Sequence, residues 1–422
     1  MHTPLLEALS AALLVAVLAG AVLRPFGLPE AAIAVPAAAL VLATGALPVD
    51  QAHAEAARLG PVAGFLAAIL VLARLCDDEG LFRWCGALMA RWAAGGGRGA
   101  ARRLLGAVFV LASLITAVLS LDATVVLLTP VVFATAARLG VRPKPHVYAC
   151  THLANTASLL LPVSNLTNLL AFSAAGVGFT RFAALMVLPW LLAVAAEYVV
   201  LRRFFATELA LSGPAGGPTG EPPLPLFALV TVGCTLAGFV LASVLGAAPA
   251  WAAAAGAAVL AVRALARRRV GPKELLNAAA LPFLAFVVAL GLVVRAVVDG
   301  GLGDLLGHLV PDGSGLAELF AVAVLAAVLA NVINNLPAVL VLLPLTAAIG
   351  TGAVLAMLLG VNIGPNLTYA GSLATLLWRR IAHRHEHDVD LAEFTRLAAL
   401  TVPAALAVAV PALWLALLVI GG

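Results

Sequence analysis

Y-A-C-T-H-L-A-N-T-A-S-L-L-L-P-V-S-N-L-T-N-L-L-A-F, running from Tyr148 to Phe172, has the length of a membrane-crossing helix but the wrong interior for one. Pro162 removes a backbone donor, and Ser164, Asn165, Thr167 and Asn168 cluster where lipid-facing residues should be apolar. Lipid offers no hydrogen bonds, so backbone unwound at membrane depth has to be buried in protein or line a cavity. A second segment, Ala353 to Trp378, repeats the design. Gly360, Gly364, Pro365 and Gly371 interrupt it beside Asn362, Asn366, Thr368, Ser372 and Thr375. Asn155 and Asn362 are 207 positions apart, and the same offset sets Ser164, Asn165 and Asn168 opposite Gly371, Ser372 and Thr375.

Working outward, two apolar stretches are too long for one crossing and carry polar residues near the middle. Leu104 to Leu139 contains Ser120 and Asp122, and Leu316 to Ile349 contains Asn331, Asn334 and Asn335. A polar tip between two apolar arms is what a re-entrant helical hairpin needs. The tips are related too: D-A-T-V-V-L-L-T-P (Asp122 to Pro130) answers N-L-P-A-V-L-V-L-L-P (Asn335 to Pro344). Basic residues mark the cytoplasmic side of a membrane protein. Arg83, Arg91, Arg98, Arg102 and Arg103 precede the first hairpin and Arg138, Arg142 and Lys144 follow it, so it enters from the cytoplasm. The second lies between Asp299, Asp304, Asp312 and glycines and enters from outside. Of the 24 basic residues, this scheme leaves only Arg58, Arg181 and Arg295 outside.

The expected architecture is all-α and polytopic, with two inverted repeats, each of five transmembrane helices plus one hairpin, and broken helices at the midplane. The first repeat spans residues 1–211, with its hairpin at 104–139 and broken helix at 148–172. The second spans 224–422, with its hairpin at 316–349 and broken helix at 353–378. A cytoplasmic Gly- and Pro-rich linker, 212–223, joins them, and both termini are expected outside the cytoplasmic (inner) membrane. Met1 to Glu7 carries no Lys or Arg, so the first apolar run reads as a retained span rather than a signal peptide.

Composition agrees. In 422 residues, 63% are hydrophobic and 10% charged, with a mean hydropathy of +1.11. That leaves no room for a sizeable soluble domain and excludes a self-contained soluble enzyme, a nucleic-acid binder and a disordered scaffold. The net charge of +4 reports orientation more readily than polyanion binding. No G-x-x-x-x-G-K-[ST] pattern occurs, despite Gly95, Gly96, Gly97 and Gly99, so no P-loop is expected, and no cofactor. Cys76, Cys85, Cys150 and Cys234 show no pairing pattern and imply neither a disulfide framework nor a zinc site.

Inverted repeats with broken helices point to a secondary transporter whose site lies near the midplane. The candidate solute contacts are Asn155, Ser164, Asn165, Asn168, Asn335, Asn362, Ser372 and Thr375, although such residues also glue helices together. Asp122, a carboxylate between apolar arms, is the candidate proton carrier; the alternative is a loop charge between two full spans. His152, one turn before Asn155, is either a proton relay or a packed, hydrogen-bonded ring. Glu197 reads as a snorkelling or paired carboxylate, or as a relay. Cys150 is either a soft ligand or a small buried hydrophobe. His383, His385 and His387 form either a metal site or a solvated cytoplasmic face. No Lys or Arg falls among the polar residues of the tips and breaks, which favours a neutral solute.

These same stretches resemble the arsenite permease family, the ArsB-type arsenical pump membrane proteins of the ion transporter superfamily. The resemblance rests on L-C-D-D-E-G-L-F-R-W (Leu75 to Trp84), L-D-A-T-V-V-L-L-T-P (Leu121 to Pro130), L-A-N-T-A-S-L-L-L-P-V-S-N-L-T-N (Leu153 to Asn168), N-N-L-P-A-V-L-V (Asn334 to Val341) and L-G-V-N-I-G-P-N-L-T-Y-A-G-S-L-A-T-L-L-W (Leu359 to Trp378). It implies extrusion of undissociated arsenite or antimonite in exchange for protons, in some members with a soluble arsenite-stimulated ATPase as partner. Where members often read N-D-G and A-D-T-A-S, this chain reads Leu121-Asp122-Ala123 and Ala154-Asn155-Thr156, keeping one carboxylate and losing the other. Similar hairpins and broken helices occur in sodium-coupled dicarboxylate carriers and silicic acid exporters of the same superfamily.

Overall fold

The computed structural model describes residues 4–23, 27–94, 99–210 and 222–421, without the side chains of residues 304 and 305. The linker expected at 212–223 therefore lies outside the described residues except for its last two prolines, as do three members of the glycine-rich run and Arg24 and Arg98. Every regular element of the described residues is a helix, and among these described helices nine are long and apolar enough to cross a membrane, so the protein is a multi-pass membrane protein.

The first half contains α1 (Pro4–Leu23), α2 (Ala31–Ala43), α3 (Val49–Asp78), α4 (Leu81–Ala93) and α5 (Ala100–Val118). After a break at Leu119 and Ser120 come α6 (Leu121–Ala123), a π-helical turn over Thr124–Leu128 and α7 (Thr129–Arg138). Then α8 (Lys144–Thr156) gives way to short 3-10 turns around Pro162, followed by α9 (Leu166–Ala174) and α10 (Phe179–Phe204). The second half contains α11 (Leu226–Leu245), α12 (Ala250–Ala266), α13 (Pro272–Ala278), α14 (Leu281–Val297), α15 (Gly303–Gly307), α16 (Leu316–Ile333) and α17 (Asn335–Ile349). It ends with α18 (Thr351–Ile363), a 3-10 turn over Gly364–Leu367, α19 (Leu373–Arg384) and α20 (Leu391–Ile420).

Each of the four expected interruptions is a real break, and a polar side chain caps the helix that restarts. Ser120 Oγ accepts from Ala123 N, Asn165 Oδ1 from Thr167 N, Asn334 Oδ1 from Leu336 N and Ser372 Oγ from Thr375 N. A restarting helix has unpaired backbone donors, and in an apolar interior its own side chains must satisfy them. Asn334 takes the turn at φ 74° and ψ 156°, a strained region that glycine alone adopts readily. The arms outrun the apolar stretches: α5 begins at Ala100 rather than near 104, α8 at Lys144, and α19 runs on to Arg384. The added turns carry Arg102, Arg103, Lys144, Arg379, Arg380 and Arg384.

Both interrupted pairs turn back on themselves. His146, at the start of α8, contacts the carbonyl of Ala101, at the start of α5, at 2.9 Å, so the chain comes back to where α5 begins. Lys144 there bonds Glu393 at the start of α20 and lies 3.3 Å from Glu208 after α10. At the other end of the bundle, Thr351 Oγ1, following α17, donates to Ala175 O, and Arg181 donates to Gly421 O. Thus α10 and α20 run antiparallel between the two ends. Small residues allow close contact within the bundle: a Cβ on Gly364 would lie 2.6 Å from the Ala327 backbone of α16.

Candidate functional site

The four breaks meet. Ser120, Leu121 and Asp122 from the first tip, Val163 to Thr167 from the first broken helix, Asn335 and Leu336 from the second tip, and Ser372 to Ala374 from the second broken helix line one cleft, closed by Leu66 of α3 and Phe283 of α14. Each tip is pinned to the break of its own half. Ser164 Oγ donates to Ala117 O at 2.6 Å, while Asn335 N donates to Gly371 O at 3.0 Å and Asn334 Nδ2 to Ala370 O at 2.9 Å. The starts of α6, α9, α17 and α19 therefore all face the cleft, and each contributes the positive end of its peptide dipoles. Asp122 is the one carboxylate of the lining, and no Lys, Arg or His joins it.

Of the sequence-derived candidates, Asp122, Ser164, Asn165, Asn335 and Ser372 line the cleft, joined by Ser120 and Thr167. Asn155, Asn168, Asn362 and Thr375 do not. They lie behind the wall in a buried network that ties the two broken helices together. Asn155 Nδ2 donates to Asn366 Oδ1 at 2.8 Å and Thr375 Oγ1 at 3.1 Å. Asn362 Oδ1 accepts from Asn165 Nδ2 at 3.0 Å and Thr167 Oγ1 at 2.8 Å, and its Nδ2 donates to Asn168 Oδ1 at 2.7 Å. In an apolar interior an amide takes any partner in reach, so amides from facing breaks pair with one another before they face a solute.

His152 is also outside the cleft lining. It is fully buried, with Nδ1 3.4 Å from Thr401 Oγ1 on α20 and 3.7 Å from Glu197 Oε1 on α10. Glu197, which the sequence left between a snorkelling, a paired and a relay role, has no exposure and cannot snorkel. The network also takes in Thr156 and Asn366, which were not among the candidates; the signal available was their position at the broken ends of α8 and α18. Cys150 is fully buried and outside the cleft, packed as a small apolar side chain. Among the described residues no group of three His, Cys, Asp or Glu is arranged to hold a metal ion, and His383 pairs with Asp388 on an exposed face.

A family described as citrate transporter, CitMHS, matches residues 11–366. The arsenical pump membrane protein of Yersinia enterocolitica is 29% identical over 348 residues, covering 78% of this chain and 80% of that one. The protein of the same name in Escherichia coli strain K12 is 29% identical over 355 residues, with the same two coverages. Among solved structures, the Alcanivorax borkumensis YdaH transporter superposes with a TM-score of 0.57 at 18% identity, covering 89% of this chain and 90% of that one, a likeness of fold. The resemblance to arsenite permeases is thus matched by relatives that carry the arsenical pump name. With most of its length inside the family match and its breaks gathered around one cleft, this chain is a membrane transporter, not an enzyme, and belongs to the CitMHS family.

Proposed function

We propose that this transporter exports arsenite or antimonite, as the neutral trihydroxy species, in exchange for protons. The observation that carries the reading is the set of polar groups in the cleft: hydroxyls, amides and one carboxylate, set among apolar side chains, with no cationic one. A trihydroxy solute donates hydrogen bonds to Asp122 and to amide oxygens, and accepts them from the Asn335 amide and the Ser120 and Ser372 hydroxyls, whereas the Ser164 hydroxyl and the Asn165 amide hydrogens are engaged within the protein. Exchange follows if solute and proton compete for one acceptor. Ionised Asp122 accepts from the solute with both oxygens; a proton cancels its charge and turns one oxygen into a donor, so solute and proton oppose each other's binding. Asp122 is the exchanging carrier in this reading, with His152 as an accessory group. The names of the arsenical pump relatives favour the same solute.

The transport cycle rests on two inverted repeats, 1–211 and 224–422, joined by a cytoplasmic linker at 212–223, each with five spans and one re-entrant hairpin, and with both termini extracytoplasmic. Helix pairing supports this symmetry, because the principal pairs have counterparts when the halves are exchanged. α3 packs on α12 as α14 packs on α2, α5 packs on α8 as α16 does on α18, and α10 packs on α20. The bond from Asn155 to Thr375 has its counterpart in that from Asn362 to Asn168.

A second reading, a proton- or sodium-coupled carrier of citrate or another carboxylate, is favoured by the four helix starts facing the cleft and by the family description. Against it, Asp122 repels an anion and no Lys or Arg compensates. Vesicles of purified protein under an imposed proton gradient, without ATP, separate these readings. Uphill arsenite or antimonite movement supports export by proton exchange. Accumulation of citrate instead supports the second reading, and arsenite movement only with ATP and a soluble ATPase would overturn an autonomous exchanger.

A further inference from the structure

Glu197 is the buried charge that the cleft does not use. It lies on α10 about two turns inside the C-terminal end. Oε1 accepts from Thr156 Oγ1 at 2.7 Å and from Asn366 Nδ2 at 3.2 Å, and lies 3.7 Å from His152 Nδ1. Glu197 Oε2 and His152 Nε2 are buried without a protein partner among the described residues. Three parts of the bundle meet here: α10 and α20, the first broken helix and the second. A charge left unpaired in such a place costs several kcal/mol, whereas one proton shared by the two side chains leaves the pair neutral.

Other ionisable groups on α10 and its neighbours are engaged elsewhere or exposed. Glu393 of α20 bonds Lys144 of α8, and His146 of α8 contacts the carbonyls of Ala101 and Arg142. Arg103 of α5 donates to Ala93 O, and Arg102, Arg396 and Cys234 are exposed, as are Arg202 and Arg203 at the end of α10. Arg181, at the start of α10, donates to Gly421 O, and Tyr198 packs edge-on against Phe109. Tyr148 packs on Trp378 and Phe205, one turn and more from His152, with Cys150 between them on the same helix.

A continuous chain of hydrogen bonds leads from this pair to the solute site. Asn366 Oδ1 accepts from Asn155, whose other amide hydrogen goes to Thr375 Oγ1, which lies 3.1 Å from Ser372 Oγ in the cleft wall. We propose that Glu197 and His152 form a proton-binding site apart from the cleft, whose protonation state is read at Ser372 through Asn366, Asn155 and Thr375. The inference rests on the proton-exchange reading and adds a second group to Asp122; Glu197 is a positioning residue, since it does not touch the cleft.

The direction of donation carries the signal. With Oε1 ionised, Thr156 and Asn366 donate to it, Asn155 donates to both Asn366 and Thr375, Thr375 donates to Ser372, and the Ser372 hydroxyl is free to donate into the cleft. A proton on Oε1 makes that atom a donor. The Asn366 amide then turns to accept, giving up the bonds from its Nδ2 to Thr156 Oγ1 and His152 O, the Asn155 amide turns after it, and Asn155 Oδ1, buried without a partner at present, receives Thr375. Ser372 donates to Thr375 in that state and only accepts from the cleft. One side-chain proton thus changes what the cleft offers a hydroxylated solute.

The test uses purified full-length protein in nanodiscs with arsenite as probe. In an Asp122→Asn background, which removes the competition between solute and proton at the cleft carboxylate, arsenite affinity is expected to change by up to about tenfold per pH unit, the limit for one linked proton. Adding Glu197→Gln should leave less than about twofold change over the same range. pH-difference infrared spectra recorded without solute should contain a protonated-carboxyl component that Glu197→Gln removes and Asp122→Asn leaves. Thr375→Val in the Asp122→Asn background should keep that component and lose the pH dependence of binding. A component that survives Glu197→Gln, or undiminished pH dependence with Thr375→Val, overturns the proposal. If Glu197→Gln does not fold, His152→Gln replaces it: a shifted midpoint of the component is expected, and an unmoved one overturns the site. Failure of wild-type protein to bind arsenite at all would defeat the solute assignment, while the infrared comparison would still decide the proton site.

Discussion

Replacing Asn362 by alanine tests whether the buried amide network holds the two broken helices together. The side chain is fully buried and makes three side-chain hydrogen bonds, to Asn165, Thr167 and Asn168. Asn165 Nδ2 retains Ser158 Oγ at 3.3 Å, but the Thr167 hydroxyl and Asn168 Oδ1 are left without it. Asn168 cannot turn its amide to compensate, because its Nδ2 is held by Ser158 O at 2.6 Å and Leu161 O at 3.0 Å. Three interhelical bonds at about 0.6 kcal/mol each, the membrane average, set a lower figure near 2 kcal/mol. Two stranded buried groups at about 1–3 kcal/mol each raise the upper one, and a loss of about 2–4 kcal/mol is expected. Asn362→Asp adds a sign. Its carboxylate still accepts from Asn165 and Thr167 but sets an oxygen against Asn168 Oδ1, so it should destabilise at neutral pH and recover in acid, where the added proton restores the donor. Unfolding in mixed detergent micelles followed by circular dichroism measures both, with Ser173→Ala, which loses one bond to Leu170 O, as a control at under about 1 kcal/mol. Asn362→Ala within about 0.5 kcal/mol of that control would refute the reasoning.

Asp122→Asn is expected to fold and to bind some solute but to lose uphill transport and its pH dependence, with a smaller effect from His152→Gln; proton-driven accumulation at the wild-type rate by Asp122→Asn would remove it as the carrier. Gly364→Ala forces a methyl group against the Ala327 backbone and should cost about 1–3 kcal/mol in the same unfolding assay. Burial lowers the Lys144 pKa, but Glu393 and Glu208 outweigh it and hold the ammonium above its ordinary value of 10.5. Its contribution, under about 1 kcal/mol, should therefore be present in full at neutral pH and lost only as alkaline pH rises through that raised pKa, so Lys144→Met and wild type should converge there. In a Cys234→Ser background, which removes the exposed native thiol, a cysteine at Gly217 should react from the cytoplasm alone; labelling from outside in intact cells would break the inverted-repeat scheme.

The sequence by itself determined what is local. Apolar runs the length of a bilayer, prolines and glycines within them, and a capping side chain at each restart depend only on neighbours along the chain. For that reason the breaks at Ser120, Pro162, Asn334 and Gly371 were legible from residues alone. Asp122 was legible on the same ground, as a carboxylate between two apolar arms. Only the tertiary structure decided which polar residues face the cleft. Asn165 caps α9 and Asn168 lies in its first turn, yet the first lines the cleft and also bonds Asn362, while the second is enclosed behind it. Glu197 and His152 are 45 positions apart, and Asn155 and Asn366 are 211, so no periodicity brings them together. Each of these side chains had several partners of equal chemical merit, and the packing of α8, α10, α18 and α20 selected among them.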